Sequence, residues 1–259
     1  MKTKLTVIKI GGEIINNSEQ LESFLEDFSC INQPKILVHG GGKIATALSE
    51  KLGVETRMHE GRRITSKDNL DVVTMVYAGL INKNIVASLQ SKECNAIGLS
   101  GADANMITAV KRPSSPLDYG FVGDLKSVNS ETINVFVKNQ ITPVFSAISH
   151  DKKGQLLNTN ADTIATEIAI AMSTLYETEL IYCFDKKGVL MDVNDENSVV
   201  ENINTEGYQQ LKEQNVIHDG MLPKMENAFH ALNNHVSGVM IGNTNFIKNR
   251  SEAHTLLKL

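Results

Sequence analysis

The sequence predicts an α/β protein: a single three-layer, doubly wound and mainly parallel sheet with two lobes. Three observations carry that expectation. Short β-branched runs alternate with amphipathic helical patterns along most of the 259 residues. The strand runs are apolar nearly throughout, as parallel strands covered on both faces are. Glycines gather where strands hand over to helices, at Gly11–Gly12 and at Gly40–Gly42.

The elements follow in order. "KLTVIKI" (4–10) and "KILVHG" (35–40) read as strands, with a helix at "SEQLESFLEDF" (18–28) between them. In that helix Leu21, Phe24, Leu25 and Phe28 share one face, and Ser18 suits the N-cap. Such a strand–helix–strand crossover builds parallel sheet. A helix is expected over about 43–52, and a longer one over 67–90, where positions 70, 73, 76, 77, 80, 81 and 85 are apolar. The middle differs: "NAIGLS", "NMITAVK" and "GFVGDLKSV" read as short strands separated by Gly, Asp and Pro, suggesting hairpins at one edge. Helix "SETINVFVKNQ" and strand "ITPVFSAI" restore the alternation. A helix over 161–175, a strand over 179–184, helices over 205–214 and 221–234 and a strand over 237–242 complete it. The turn at Gly154–Gln155 and the Asn-rich 158–160 mark a change of lobe, near 157/158, within one continuous sheet.

Composition narrows the function classes. Net charge is −5, so a nucleic-acid or anionic-membrane surface is not expected. No run approaches 18 apolar residues and no basic leader precedes the first strand, which predicts a cytoplasmic protein without a membrane span. Cys30, Cys94 and Cys183 lie far apart, without metal-ligand spacing and beside apolar residues, and read as reduced core thiols.

The glycines carry the chemistry. Three in a row cost backbone entropy and fill no core, unless something must approach the backbone closely. A phosphate-binding G-x-x-x-x-G-K-[ST] loop ending on Gly42–Lys43 fails twice, because Leu37 and Ile44 occupy required positions. The dinucleotide pattern G-x-G-x-x-A matches at Gly40, Gly42 and Ala45. It follows the second strand, however, and no strand leads to Glu60, the acidic residue it would need. What remains is a concavity of free N–H groups at a helix N-terminus, suited to a phosphate or carboxylate. Lys9 sharpens this reading, since a central parallel strand has no inexpensive place for an ammonium unless an anion meets it. Lys224 follows Pro223 in a first helical turn, where the dipole opposes a cation unless an anion binds.

Four stretches, in this order, carry a family resemblance: "KIGG" (9–12), "HGGG" (39–42), "GRRIT" (61–65) with "NTNAD" (158–162), and "DGMLPK" (219–224). From end to end the chain resembles the amino-acid kinase superfamily, and within it the N-acetylglutamate kinase branch. The resemblance implies transfer of the ATP γ-phosphoryl group, with Mg2+ bound to the nucleotide, to the side-chain carboxylate of N-acetyl-L-glutamate, giving an acyl phosphate in arginine biosynthesis. The chemistry agrees: an ionised carboxylate needs no general base, and two anions must be held together by positive charge and N–H donors.

By resemblance, Lys9 and Lys224 flank the phosphoryl group and Asp162 holds both lysines. Gly41 and Gly42 meet the reacting carboxylate, and Asn158 reads the N-acyl amide or the α-carboxylate. If "GRRIT" is extended, Arg62 and Arg63 face opposite sides and only one enters the site; the family pattern Gly-x-Arg-x-Thr selects Arg63, for the α-carboxylate. For ATP the resemblance names Lys9, Gly11, Gly12, Lys224 and, in "CFDKKGVL" (183–190), Asp185, Gly188 and Leu190. The chain departs there from the family's usual Leu-Thr before Asp, having Cys183–Phe184. Residues 1–157 become the acceptor lobe and 158–259 the nucleotide lobe. No protein metal site is implied. Relatives inhibited by arginine carry an extra N-terminal helix, whereas here Lys9 follows only "MKTKLTVI"; a plain homodimer insensitive to arginine is expected, joined through helix 67–90. Within the superfamily, another N-acyl amino acid (N-succinylglutamate or a carrier-linked aminoadipate) is an alternative acceptor. An NAD(P)-linked oxidoreductase and a non-catalytic sensor are the alternatives from other classes.

Overall fold

The computed structural model describes residues 2–59, 61–218 and 220–259. Glu60, from the dinucleotide comparison, and Asp219, of "DGMLPK", lie outside the described residues.

Strand β1 (Lys4–Ile10) is buried except at its start and at Lys9. It leads through a short α1 (Gly12–Asn16) into α2 (Ser18–Ser29), which buries Phe24, Leu25 and Phe28. The N-cap of α2 is Asn17 and not Ser18. Its side-chain oxygen accepts from the N–H groups of Glu19 and Gln20, both at 3.1 Å, satisfying two donors that the helix itself cannot. The apolar β2 (Lys35–His39) is buried throughout and gives way to α3 (Gly42–Lys51). A small hairpin follows, β3 (Arg57–His59) and β4 (Arg62–Ile64).

The long helix runs from Lys67 to Ser91 in three stretches: α4 (Lys67–Thr74), a π-helical Met75–Ile81, and α5 (Asn82–Ser91). By length and composition it could cross a membrane. Its Leu70, Val73, Val76, Ile81, Ile85 and Leu89 are nevertheless buried, and α5 packs on the sheet and on α2.

Next come β5 (Ala96–Leu99), β6 (Ile107–Lys111), β7 (Gly123–Val128), α6 (Ser130–Lys138), β8 (Thr142–Ser146), β9 (Ile148–His150) and β10 (Leu156–Asn158). The second half contains α7 (Ala161–Ser173), β11 (Glu177–Cys183), β12 (Asn202–Ile203), α8 (Thr205–Glu213), α9 (Met221–Asn233), β13 (Gly238–Gly242), α10 (Thr244–Lys248) and β14 (Thr255–Leu257).

Eight strands form the main sheet in the order β12-β14-β13-β11-β1-β2-β8-β5. Every pair from β13 to β5 is parallel, and β14 turns antiparallel on β13. The mainly parallel architecture matches the sequence reading, but the hairpin strands of the middle do not extend its edge. Strand β5 joins the parallel sheet beside β8, while β6, β7, β9 and β10 make a separate four-stranded sheet. The division falls within "ITPVFSAI": the chain bends at Ala147, so β8 belongs to one sheet and β9 to the other. The strand order reverses direction around β1, which pairs with β2 on one side and β11 on the other. That is the switch point beside which open α/β sheets form their crevice.

Cys94 and Cys183 are buried, as expected, but Cys30 is exposed. It caps α2 beyond Phe28, the last residue of the buried face, and so leaves the core.

Candidate active site

The register fixes where the glycine turns meet. Ile10 pairs with His39 of β2 and with Cys183 of β11, so three strands end at the same edge. Gly11 donates its N–H to the Cys183 carbonyl at 2.8 Å, tying the first turn to β11, while Gly12 opens α1 with free space around it. Gly41 has φ +150, and a Cβ there would run into Ile81 and Tyr77. Only glycine suits that position, on conformational and on steric grounds. A cavity of about 360 Å³ opens at this edge, walled by both glycine turns, the β3–β4 hairpin and the starts of α7 and α9.

Asp162 occupies the first turn of α7 and is aimed by its neighbours. The Asn160 side chain caps the helix, accepting from the N–H groups of Asp162 at 2.7 Å and Thr163 at 3.1 Å. One carboxylate oxygen of Asp162 lies 2.7 Å from the Lys9 ammonium. The other accepts a hydrogen bond from Lys224 at 2.7 Å. Burial opposes ionisation here, yet the charges and hydrogen bonds of the two lysines outweigh it and hold the carboxyl at about 2. The lysines come from β1 and from the first turn of α9, far apart in sequence, and only the carboxylate between them lets both stand in one crevice. Lys224 is the more exposed of the two, so a donor charge remains available to an anionic ligand.

On the opposite wall Arg63 is buried and already engaged. It donates to the Gly42 carbonyl at 3.0 Å, Thr46 Oγ1 at 2.7 Å and Thr56 Oγ1 at 3.1 Å. Arg63 therefore braces the glycine turn as well as lining the cavity. The expectation that Arg62 would face away needs correction. The strand alternation does hold, with Arg63 buried and Arg62 exposed, but β4 stands at the cavity mouth and both arginines line it. Among the described residues the Arg62 side chain has no hydrogen-bond or ion-pair partner, while its backbone pairs with His59 across the hairpin. Asn158, at the end of β10, lines the cavity and donates to Thr65 Oγ1 at 3.0 Å. Arg112 and Tyr77 are among the lining residues that escaped the sequence reading. Arg112 pairs with Asp124 at 2.6 Å, and Tyr77 lies buried beneath Gly41. Arg112 has no motif around it, whereas Tyr77 is the only phenol on an otherwise aliphatic helix face, a signal that was there to be read.

The segment named for ATP is less concentrated. Asp185 follows β11 directly, at the edge shared with the glycine turns. Gly188 instead packs against Thr255 and Val199, and Leu190 bridges to Val199; neither lines the cavity. Thus Lys9, Gly12, Gly41, Gly42, Arg63, Asn158 and Asp162 share one cavity, Lys224 reaches it through Asp162, and Gly11 lies just behind it. Asp185, Gly188 and Leu190 lie to the β11 side.

Comparison with known proteins gives this site a lineage. The model of the Amino acid kinase family matches residues 4–243. The acetylglutamate kinase of Cytophaga hutchinsonii is 54% identical over 239 residues, covering 92% of this chain and 90% of that one. The acetylglutamate kinase of Methanopyrus kandleri is 37% identical over 228 residues, covering 86% and 89%. Among solved structures, a Streptococcus mutans protein superposes with a TM-score of 0.80 at 29% identity, over 98% of each chain. Carbamate kinase from Giardia shares the fold at a TM-score of 0.71 and 10% identity, over 99% of this chain and 98% of that one. With the glycine turns, the paired lysines and their carboxylate in place, the chain belongs to the amino acid kinase family.

Proposed function

We propose that this chain transfers the γ-phosphoryl group of ATP to the side-chain carboxylate of N-acetyl-L-glutamate, a step of arginine biosynthesis. The observation that carries the reading is the Lys9–Asp162–Lys224 arrangement at the foot of two glycine-led helix N-termini. A carboxylate oxygen attacks the γ-phosphorus, the bond to the β,γ-bridging oxygen breaks, and ADP leaves with the electron pair. Negative charge gathers on the transferring group, and the two ammonium groups with the N–H of Gly12 stabilise it, while the N–H groups of Gly41 and Gly42 hold the attacking carboxylate. Among the described residues no histidine lines the cavity, and the nucleophile is ionised without a base.

In this reading Arg63 orients the amino acid from the N-terminal lobe and Asn158 does so from the lobe boundary, while the rest of residues 158–259, with Asp185 at the β11 end, face the nucleotide. Mg2+ belongs with the nucleotide, held by its phosphates; Asp162, a carboxylate lining the cavity, is already engaged by two lysines. The molecule reads as a cytoplasmic homodimer, with Met75 and Leu80 exposed on the long helix as its seam.

One observation favours a second acceptor. N-acetylglutamate has two carboxylates, one for Arg63 and one for the glycine turn, whereas the cavity is lined by a second guanidinium, Arg62, that no described side chain engages. An acyl group ending in a carboxylate, as in N-succinylglutamate, would supply an anion for it. ADP release measured with N-acetyl-, N-succinyl- and unacylated glutamate tests both readings. Turnover with an N-acyl glutamate and none with free glutamate supports the kinase, and the ratio of the two kcat/KM values identifies the acyl group. Absence of turnover with all three overturns the proposal.

A further inference from the structure

His39 belongs to the glycine stretch, yet the proposed chemistry gives it nothing to do. It is fully buried at the end of β2 and lies behind the cavity wall, not on it. Its Nδ1 is 2.9 Å from the Gly40 carbonyl and its Nε2 is 3.0 Å from the Asn82 amide nitrogen. The Asn82 amide has its orientation set independently. Its nitrogen also donates to the Val144 carbonyl at 2.9 Å, and its oxygen accepts from Lys83 at 3.2 Å. Gly98 of β5 leaves the room this requires, since a Cβ there would collide with the Asn82 amide.

These contacts determine the tautomer. Both Asn82 amide hydrogens are spent as donors, so Nε2 of His39 accepts and Nδ1 carries the proton, which goes to the Gly40 carbonyl. Burial, with the Lys83 charge adding, lowers His39 to about 4 against the opposing Gly40 hydrogen bond, so the ring is neutral near pH 7. In a trans peptide the carbonyl and the following N–H point in opposite directions. Holding the Gly40 carbonyl against His39 therefore turns the Gly41 N–H away from it, toward the side where Gly40–Gly42 wall the cavity.

The π-helical stretch completes the clamp. With hydrogen bonds from i to i+5, a π-turn brings residue 77 over both 81 and 82. Tyr77 and Ile81 press on Gly41, while Asn82, next in sequence, reaches Gly40 through His39. One helix thus grips the loop from two directions.

We infer that His39 is a positioning residue, locked by Asn82 in its Nδ1-protonated form so that the Gly41 N–H is aimed at the acceptor carboxylate. The inference rests on the kinase reading of the site. Steady-state kinetics of His39→Leu, which removes the donor, and of His39→Asn, whose amide nitrogen stands close to where Nδ1 was, test it. His39→Leu is expected to lower kcat about 100-fold, the scale of one misdirected oxyanion donor, with the KM for ATP changed less than about threefold. His39→Asn should recover about tenfold of that loss. Nitrogen-15 NMR of the wild-type protein should show His39 protonated at Nδ1. An unchanged kcat in His39→Leu, no recovery in His39→Asn, or a ring protonated at Nε2 overturns the assignment. The tautomer measurement needs no variant, so it decides the matter even if His39→Leu does not fold. A wild-type protein that phosphorylates no N-acyl glutamate sinks the kinase reading instead, and the role inferred for His39 with it, whatever the tautomer.

Discussion

Asp162→Asn keeps the side chain's size and removes its charge, leaving Lys9 and Lys224 to face each other across a neutral amide. The native carboxyl stands at about 2 against an ordinary 3.8, with burial working the other way. A depression of that size corresponds to about 2 kcal/mol of net stabilisation of the ionised form. The sign follows from the direction. A lowered folded pKa stabilises the native state above 3.8, and that contribution is lost as pH falls from 3.8 through about 2. Urea unfolding should find the variant about 2 kcal/mol or more less stable at pH 7, because two like charges are left uncompensated. Between about pH 5 and 2 the wild type should lose about 2 kcal/mol that the variant does not. In kinetics the lysines drift from their shared anchor, and kcat should fall about 100-fold. The KM for ATP should not rise, since the two cations now attract phosphate without competition. A variant with kcat within a few-fold of wild type, and the same loss of stability in acid, would refute the reasoning.

Three further predictions concern neighbouring groups. Lys9→Ala and Lys224→Ala should each lower kcat by about 100-fold or more, with smaller changes in KM, as read by initial rates of ADP release. His39, lowered from 6.5 to about 4 mainly by burial, should contribute stability that is present above pH 6.5 and lost as pH falls toward 4. That loss is about 3 kcal/mol, and urea unfolding of His39→Asn over the same range should lack it. Arg63→Ala should raise the KM for the N-acyl amino acid, leave the KM for ATP nearly unchanged, and also lower kcat, because the guanidinium braces the Gly42 carbonyl; equal damage to both KM values would show the site assigned wrongly.

Much of this was legible in the sequence, for a physical reason. Local patterns report local structure: the apolar runs of β1, β2 and β11 announce strands buried on both faces, and the apolar spacing of α2 and α7 announces helices with one covered side. Two glycine turns at adjacent strand ends, together with a lysine within a buried strand, point to an anion, because backbone N–H groups and a buried ammonium both need one. Nothing local, however, says which distant residues will be neighbours. That Lys9 and Lys224 share one carboxylate follows from β1 and β11 pairing while α7 crosses over them, a tertiary event. The same holds for the hairpin strands, which leave the parallel sheet because the chain bends at Ala147, and for Arg62, which alternation sends outward but the position of β4 returns to the cavity mouth. The most telling case is the helix from Lys67 to Ser91. Its apolar period was plain, but its π-helical middle was not, because a π-turn is rare and carries no local sequence signature here. That stretch meets Gly41 through Tyr77 and Ile81 and adjoins Asn82, which bonds His39, contacts that only the tertiary structure shows.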